Sequence, residues 1–257
     1  RLNKLWGHHS KSLNPKTKLS GDYYDELLVA QLFFDAKNTL ILGNAAGTSM
    51  MQIRHFFGTH VDGVEIDPVI TEVGKKFFGL VLDDKMRIYH EDARTYLIKN
   101  QEKYDVIYVD IFAGSAYVPF HVTTVEFFEL VKKALSKNGV MAINLHFFPP
   151  GSELKEYILN TIVTVFPYSF LSQHVLYSFK NATSLQELRD SLNRKKIPLS
   201  LWPSASRTFQ KMRKVKLTSA DKIFTDDYAP VESMTYEILR KLRTLGIDRG
   251  IPLTLTP

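Results

Sequence analysis

From Tyr23 to Phe179 short apolar runs alternate with longer stretches in which apolar residues recur every three or four positions. Runs of the first kind fit strands buried on both faces, and the second kind fits amphipathic helices. The pattern predicts strands at Thr39–Leu42, Val61–Glu65, Met86–His90, Tyr104–Asp110 and Val140–Leu145. Helices are expected at Tyr23–Phe34, Thr48–Phe57, Pro68–Phe78 (with Pro68 in the first turn) and Ser152–Phe166. Another should open on Asp92 and end near Lys99. Thr123 with Glu126 three residues on reads as a capping box for a helix ending near Ser136. "SFLSQHVLYSFKN" reads as two strands or a hairpin. Strand and helix in alternation predict an α/β, Rossmann-like, doubly wound sheet of seven mostly parallel strands with helices on both faces.

The pattern changes after Asn181. Ser184 and Glu187 form a second capping-box pair, a basic stretch follows, and "FTDDYAPVE" precedes a terminal helix near Ser233–Leu245. The expected organisation is a basic arm at 1–20, a cofactor-binding domain at 21–181 and a C-terminal extension at 182–257 packed on that domain. No internal repeat interrupts this plan.

Composition changes the picture little. The chain has 257 residues, 44% hydrophobic and 23% charged, as folded domains do. It contains no cysteine, so disulfides and thiolate metal sites are excluded. No apolar run reaches the roughly 18–20 residues that span a bilayer, and no signal peptide is visible. A cytoplasmic location is expected. The sequence opens on Arg1, which leaves room for a preceding segment such as a membrane tether. The net charge of +6 suits a solvated basic surface, because no nucleic-acid signature accompanies it.

Chemistry enters at the strand ends, where open parallel sheets bind ligands. The first strand delivers the turn Gly43, Asn44, Ala45, Ala46, Gly47. This is not G-x-G-x-x-G; it is closer to a shorter G-x-[GA]-x-G loop, which suits an adenosine–sulfonium cofactor with no pyrophosphate to cradle. The second strand delivers Glu65, followed by Ile66, about 20 residues past the turn, where a carboxylate can accept ribose hydroxyls. The third delivers Asp92, followed by Ala93, placed to accept from an adenine amino group. The fourth delivers Asp110, free to orient an amine nucleophile and take up its proton. The fifth delivers Asn144.

On "LILGNAAGTS", "VDGVEIDPVI", "RIYHEDARTYL", "YDVIYVDIF", "VTTVEFFELVKKALSKNGVMAINL" and the upstream "YYDE", the chain resembles the spermidine synthase family, within the class I S-adenosylmethionine-dependent transferase fold. "YVPFHVTTVEFF" and "TDDYAPVE" look most like the spermidine synthase-like domains found alone or fused to membrane segments. The resemblance implies S-adenosylmethionine or its decarboxylated form as co-substrate, no metal, an amine acceptor and a homodimer. It also implies that Tyr24 and Asp25 lie near the active site and that Asp110 assists the attacking amine. His121 and Asp227 are further candidates for the acceptor side, with Asp226 and Glu232 beside Asp227 and with Tyr117 and Phe120 as wall residues. His8 and His9 lack the further ligands that a metal requires.

Two positions depart from the family pattern. Members that make spermidine carry an Asp at the place of Ala46 and a second acid at the place of Ala113. Both hold cationic amines. Their loss keeps two other readings open: methyl transfer from intact S-adenosylmethionine, and a non-catalytic cofactor-sensing domain.

Overall fold

The computed structural model describes residues 9–112, 117–146, 148 and 151–244. Helix α1 (Tyr23–Leu27) runs into a 3₁₀ turn (Leu28–Leu32). Five strand–helix steps follow: β1 (Asn38–Leu42), α2 (Thr48–Phe57), β2 (His60–Val64), α3 (Pro68–Val73), β3 (Met86–Tyr89), α4 (Ala93–Lys99), β4 (Tyr104–Val109), α5 (Val125–Ala134), β5 (Leu135–Asn144) and α6 (Glu153–Val165). The chain continues through β6 (Tyr168–Leu171), β7 (Val175–Phe179), α7 (Leu185–Asn193), α8 (Trp202–Lys211), β8 (Arg213–Lys214) and α9 (Val231–Thr244).

The sheet order is β3-β2-β1-β4-β5-β7-β6-β8. The five strands from β3 to β5 pair in parallel, and β7, β6 and β8 join antiparallel. The expected count of seven strands thus becomes eight. The addition is the two-residue β8, which the C-terminal extension lays against the exposed edge of β6 and so shields it. "SFLSQHVLYSFKN" is the β6–β7 hairpin.

Side chains of the central strands alternate between two cores, as the two-residue period requires. Leu40, Leu42, Ile107 and Val109 face α4, α5, α6 and α9; Ile41, Val106 and Tyr108 face α1, α2, α7 and α8. The extension belongs to both cores: Phe224 and Val231 enter the first, Leu192, Leu201 and Phe209 the second.

Two local expectations are corrected. Thr124, not Thr123, caps α5, because its hydroxyl accepts from the Phe127 amide while Thr123 Oγ1 donates back to the Phe120 carbonyl. Glu126 accepts from the Asp226 amide instead of closing a capping box. Helix α8 has no counterpart in the sequence reading, where its charged and polar face hid the stripe Ala205, Thr208, Phe209. The second capping box, Ser184 with Glu187, is present at α7.

Candidate active site

The order β3-β2-β1-β4-β5 lines up five strand ends along one rim of the sheet. Gly43 and Asn44 both donate to the Val64 carbonyl at 3.0 Å, tying the turn after β1 to β2. Gly43 has φ +87, and a Cβ there would lie 2.3 Å from the Asp110 carbonyl oxygen. The first glycine is therefore demanded by the close approach of the β4 end. Ala45 also takes positive φ, at 46°, and Gly47, at +88°, stands as N-cap of α2.

Glu65 Oε2 accepts from the Ala45 amide at 2.7 Å and Oε1 from the Asp67 amide at 3.1 Å. Its carboxylate is thus fixed against the turn, with lone pairs left for ligand hydroxyls. The neighbouring Ile66 is 68% exposed and presents an apolar face on the same rim. At the next strand end Asp92 caps α4: Oδ1 accepts from the Thr95 amide at 2.9 Å, and Oδ2 lies 2.9 Å from His121 Nε2. Burial acts to raise the Asp92 carboxyl, but the Thr95 amide and His121 together hold it below its ordinary range. Ala93, the first residue of α4, is buried beside it. A carboxylate fixed on a turn, an exposed aliphatic face and a second carboxylate with a neighbouring amide form a donor set that fits an adenosine-type ligand.

Asp110 follows β4 and is held from two sides. Tyr23 donates its hydroxyl to Oδ2 at 2.8 Å, and Asn144, the last residue of β5, donates its amide to Oδ1 at 2.8 Å. Burial pushes the Asp110 carboxyl up, against the opposing pull of Asn144, Tyr23 and His9. Burial also pushes Tyr23 and Tyr24 well above the ordinary phenol range, with the Asp110 charge adding to both. The two rings are 4.1 Å apart, and Tyr24 is buried. "YYDE" thus points to the right neighbourhood, but Tyr23 makes the direct bond.

The remaining candidates divide. Asp25 is buried and spends its oxygens on Ser20, Gly21 and Gln52, so it braces the arm against α1 and α2. His121 bonds Asp92 at the third strand end. Asp227 is exposed in the two-residue turn between Thr225 and Tyr228 and makes none of the rim contacts among the described residues. Its neighbour Asp226 makes them instead, taking Arg94 Nη1 and Thr124 Oγ1 each at 2.7 Å. Arg94 also donates to the His121 carbonyl, and Tyr117 donates to Glu232. The C-terminal segment thus contacts the rim through Asp226 and Glu232. Ala113 and His8 lie outside the described residues.

Ser10 was not singled out by the sequence. It is fully buried, and its hydroxyl accepts from the Ala46 amide at 2.8 Å. Lys11 adds two backbone bonds to Thr48 Oγ1, both at 2.9 Å. The arm therefore seals the turn, and Ala46 has no exposed surface. No pattern precedes Ser10 in the sequence that could have signalled this.

The spermine/spermidine synthase domain model matches residues 22–180, well over half of the chain. The chain belongs to that family. Among similar proteins, a probable polyamine aminopropyl transferase of Bifidobacterium longum is 31% identical over 253 residues, covering 90% of this chain and 56% of that protein. An eEF1A lysine and N-terminal methyltransferase of Xenopus laevis is 29% identical, covering 69% of this chain and 26% of that one. The chain spans about half the length, or less, of these curated relatives. Among solved structures, human methyltransferase-like protein 13 in complex with SAH aligns with a TM-score of 0.58 at 21% identity, over 77% of this chain and 96% of that one. A probable spermidine synthase from Corynebacterium glutamicum aligns at 0.57 and 19%, over 80% and 84%. Family members of this fold are thus found among aminopropyltransferases and methyltransferases alike. No helix among the described residues is long and apolar enough to cross a membrane.

Proposed function

We propose that the chain is a transferase that moves an alkyl group, the aminopropyl group of decarboxylated S-adenosylmethionine, to an amine acceptor. The observation that carries this reading is Asp110, a carboxylate raised by burial, held by Tyr23 and Asn144 beside the Gly43 turn. When bound, the donor supplies a sulfonium-activated carbon. Glu65 would hold its ribose hydroxyls, and Asp92 with Ala93 would hold its adenine edge against Ile66.

The protein's own residues do the rest by positioning. Asp110 orients the acceptor amine and accepts its proton, and a raised carboxyl is a stronger base than an ordinary one. The amine lone pair forms the new N–C bond, the C–S bond breaks, and its electron pair stays on sulfur as a thioether. Tyr23 and Asn144 fix the carboxylate's orientation so that little reorganisation accompanies the step.

Ala46 supports a second reading, methyl transfer from intact S-adenosylmethionine. Its side chain is buried, and no acid stands in the turn to meet a propylamine cation. Product mass spectrometry with both donors against an amine panel decides. Aminopropyl adducts from the decarboxylated donor establish the first reading, methyl adducts the second, and an absence of adducts with both rejects transfer.

A further inference from the structure

Behind Tyr23 lies a cavity of about 340 Å³ whose walls include His146, His174, Arg207 and Lys211. It is one side chain away from Asp110 along two routes. Tyr23 bonds Asp110 directly, and the His146 amide donates to Asn144 Oδ1, whose amide group in turn bonds Asp110. A groove of about 730 Å³ adjoins it, with Lys155, Arg213 and Lys216 in its wall. Ser172, Gln173 and Lys211 line both spaces and so form their common wall.

The first cavity holds Asp22, Asp25 and Glu26 beside Arg207 and Lys211, and the positive surplus lies in the adjoining groove. None of Lys155, Arg207, Lys211, Arg213 and Lys216 forms an ion pair with a carboxylate among the described residues. Lys211 Nζ donates to a neutral partner, the Gln173 amide oxygen. The acids in the same walls are committed elsewhere. Asp22 caps α1 and pairs with Lys11, Asp25 braces the arm, and Glu26 accepts from the His174 and Val175 amides. Glu156 is taken by Lys222 and Thr218. The mutual effect is visible on two groups: burial, then Lys155 and Lys211, push the His174 imidazole down, and burial, then Arg213, push the Lys155 ammonium down.

Ser172 supplies an independent sign of a ligand. The residue is 3% exposed, it lies in the wall shared by both spaces, and its hydroxyl has no hydrogen-bond partner among the described residues. A buried hydroxyl without a partner costs free energy that an incoming acceptor or donor group recovers. With Asp22 paired to Lys11 and Glu156 to Lys222, the joined walls set five cations against Asp25 and Glu26, a surplus that attracts anions.

We propose that the acceptor carries an anionic group, a carboxylate or a phosphate, which Arg207 and Lys211 hold with Ser172 while its amine faces Asp110. The inference rests on the transferase reading above and inverts the charge expected of a diamine acceptor.

Ornithine is putrescine with one added carboxylate, and lysine stands in the same relation to cadaverine, so the two pairs isolate that one group. Binding is measured by calorimetry on the full chain with S-adenosylhomocysteine present, and turnover by product mass with both donors. The expected result is that ornithine and lysine bind at least about tenfold more tightly than their diamines, and that Arg207→Glu with Lys211→Glu erases the preference. Phosphoethanolamine binding in place of the amino acids, with competition by inorganic phosphate, assigns the anion as phosphate. Diamines that bind as well as or better than their carboxylated analogues overturn the proposal, as does a preference that survives the double substitution. Failure of every acceptor to give product overturns the transferase reading instead, and the calorimetric comparison still decides the charge preference.

Discussion

Tyr23 donates its hydroxyl to the carboxylate of Asp110 across 87 residues of sequence, at 2.8 Å. The bond joins the first helix to the end of the fourth strand and lowers a carboxyl that burial raises. Tyr23→Phe therefore raises the Asp110 pKa further. A base must be ionised to work, so the acid limb of the kcat/KM profile moves to higher pH in this variant. A limb that stays in place would exclude Asp110 as the group seen in the profile.

Asp110→Asn separates catalysis from stability. Turnover is expected to fall by about 10²–10⁴-fold while donor affinity stays near its starting value. The folded pKa of Asp110 is raised, so its contribution to stability is full below the ordinary carboxylate pKa and is lost as pH rises through the folded value. At neutral pH the ionised group is a liability. The Asn variant should melt no lower than the parent near pH 7, and thermal melts across pH check this.

Two glycines with positive φ differ in surroundings. A Cβ at Gly43 meets the Asp110 backbone at 2.3 Å, whereas one at Gly79, φ +76, meets nothing within 4 Å. Gly43→Ala should cost at least about 3 kcal/mol and displace Asp110, while Gly79→Ala costs about 1–2 kcal/mol. Urea unfolding of the pair tests the contrast.

Ser10→Ala leaves the Ala46 amide buried without an acceptor, at a cost of about 1–3 kcal/mol. It also frees the turn from the arm, so faster amide exchange should localise to residues 43–48. Exchange unchanged there would show that the arm does not hold the turn.

The Arg94 hydrogen bond, against a smaller opposing effect of burial, holds the Asp226 carboxyl below its ordinary range. A lowered folded pKa means that this tie is present above the ordinary carboxylate pKa and fades as pH falls through the folded value. The side chain is 41% exposed, so the tie is worth less than about 1 kcal/mol after solvent screening. Protection factors of α9, corrected for the intrinsic pH dependence of exchange and compared with Asp226→Asn, should fall between about pH 6 and about pH 3 in the parent alone.

The strand ends were legible because a buried parallel sheet writes itself as apolar runs, and each run stops where its candidate polar residue begins. Glu65, Asp92, Asp110 and Asn144 could be placed from that rule alone. Contacts that depend on direction within a turn were not legible. Neighbouring positions of a helix barely longer than one turn point about 100° apart, and nothing in "YYDE" shows which phenol faces Asp110. Contacts made by distant segments were hidden for another reason. Ser10 and Asp226 reach the rim from the two ends of the chain, and neither lies in a periodic stretch. Helix α8 was missed because its apolar stripe is narrow, so its cations read as a solvated tract although they wall a cavity.

The sealed turn also has a bearing on the loop's own sequence. Restoring an acid at Ala46 would place a carboxylate in a space with no free surface, between the arm and the backbone of Gly74, with Ser10 already on the amide. Burying an unpaired carboxylate there would cost the fold stability. An acid at position 46 is therefore expected to destabilise the fold unless Ser10 moves as well. The arm that seals the turn thus also limits which side chains the turn can carry, so loop and arm are coupled in sequence as well as in space.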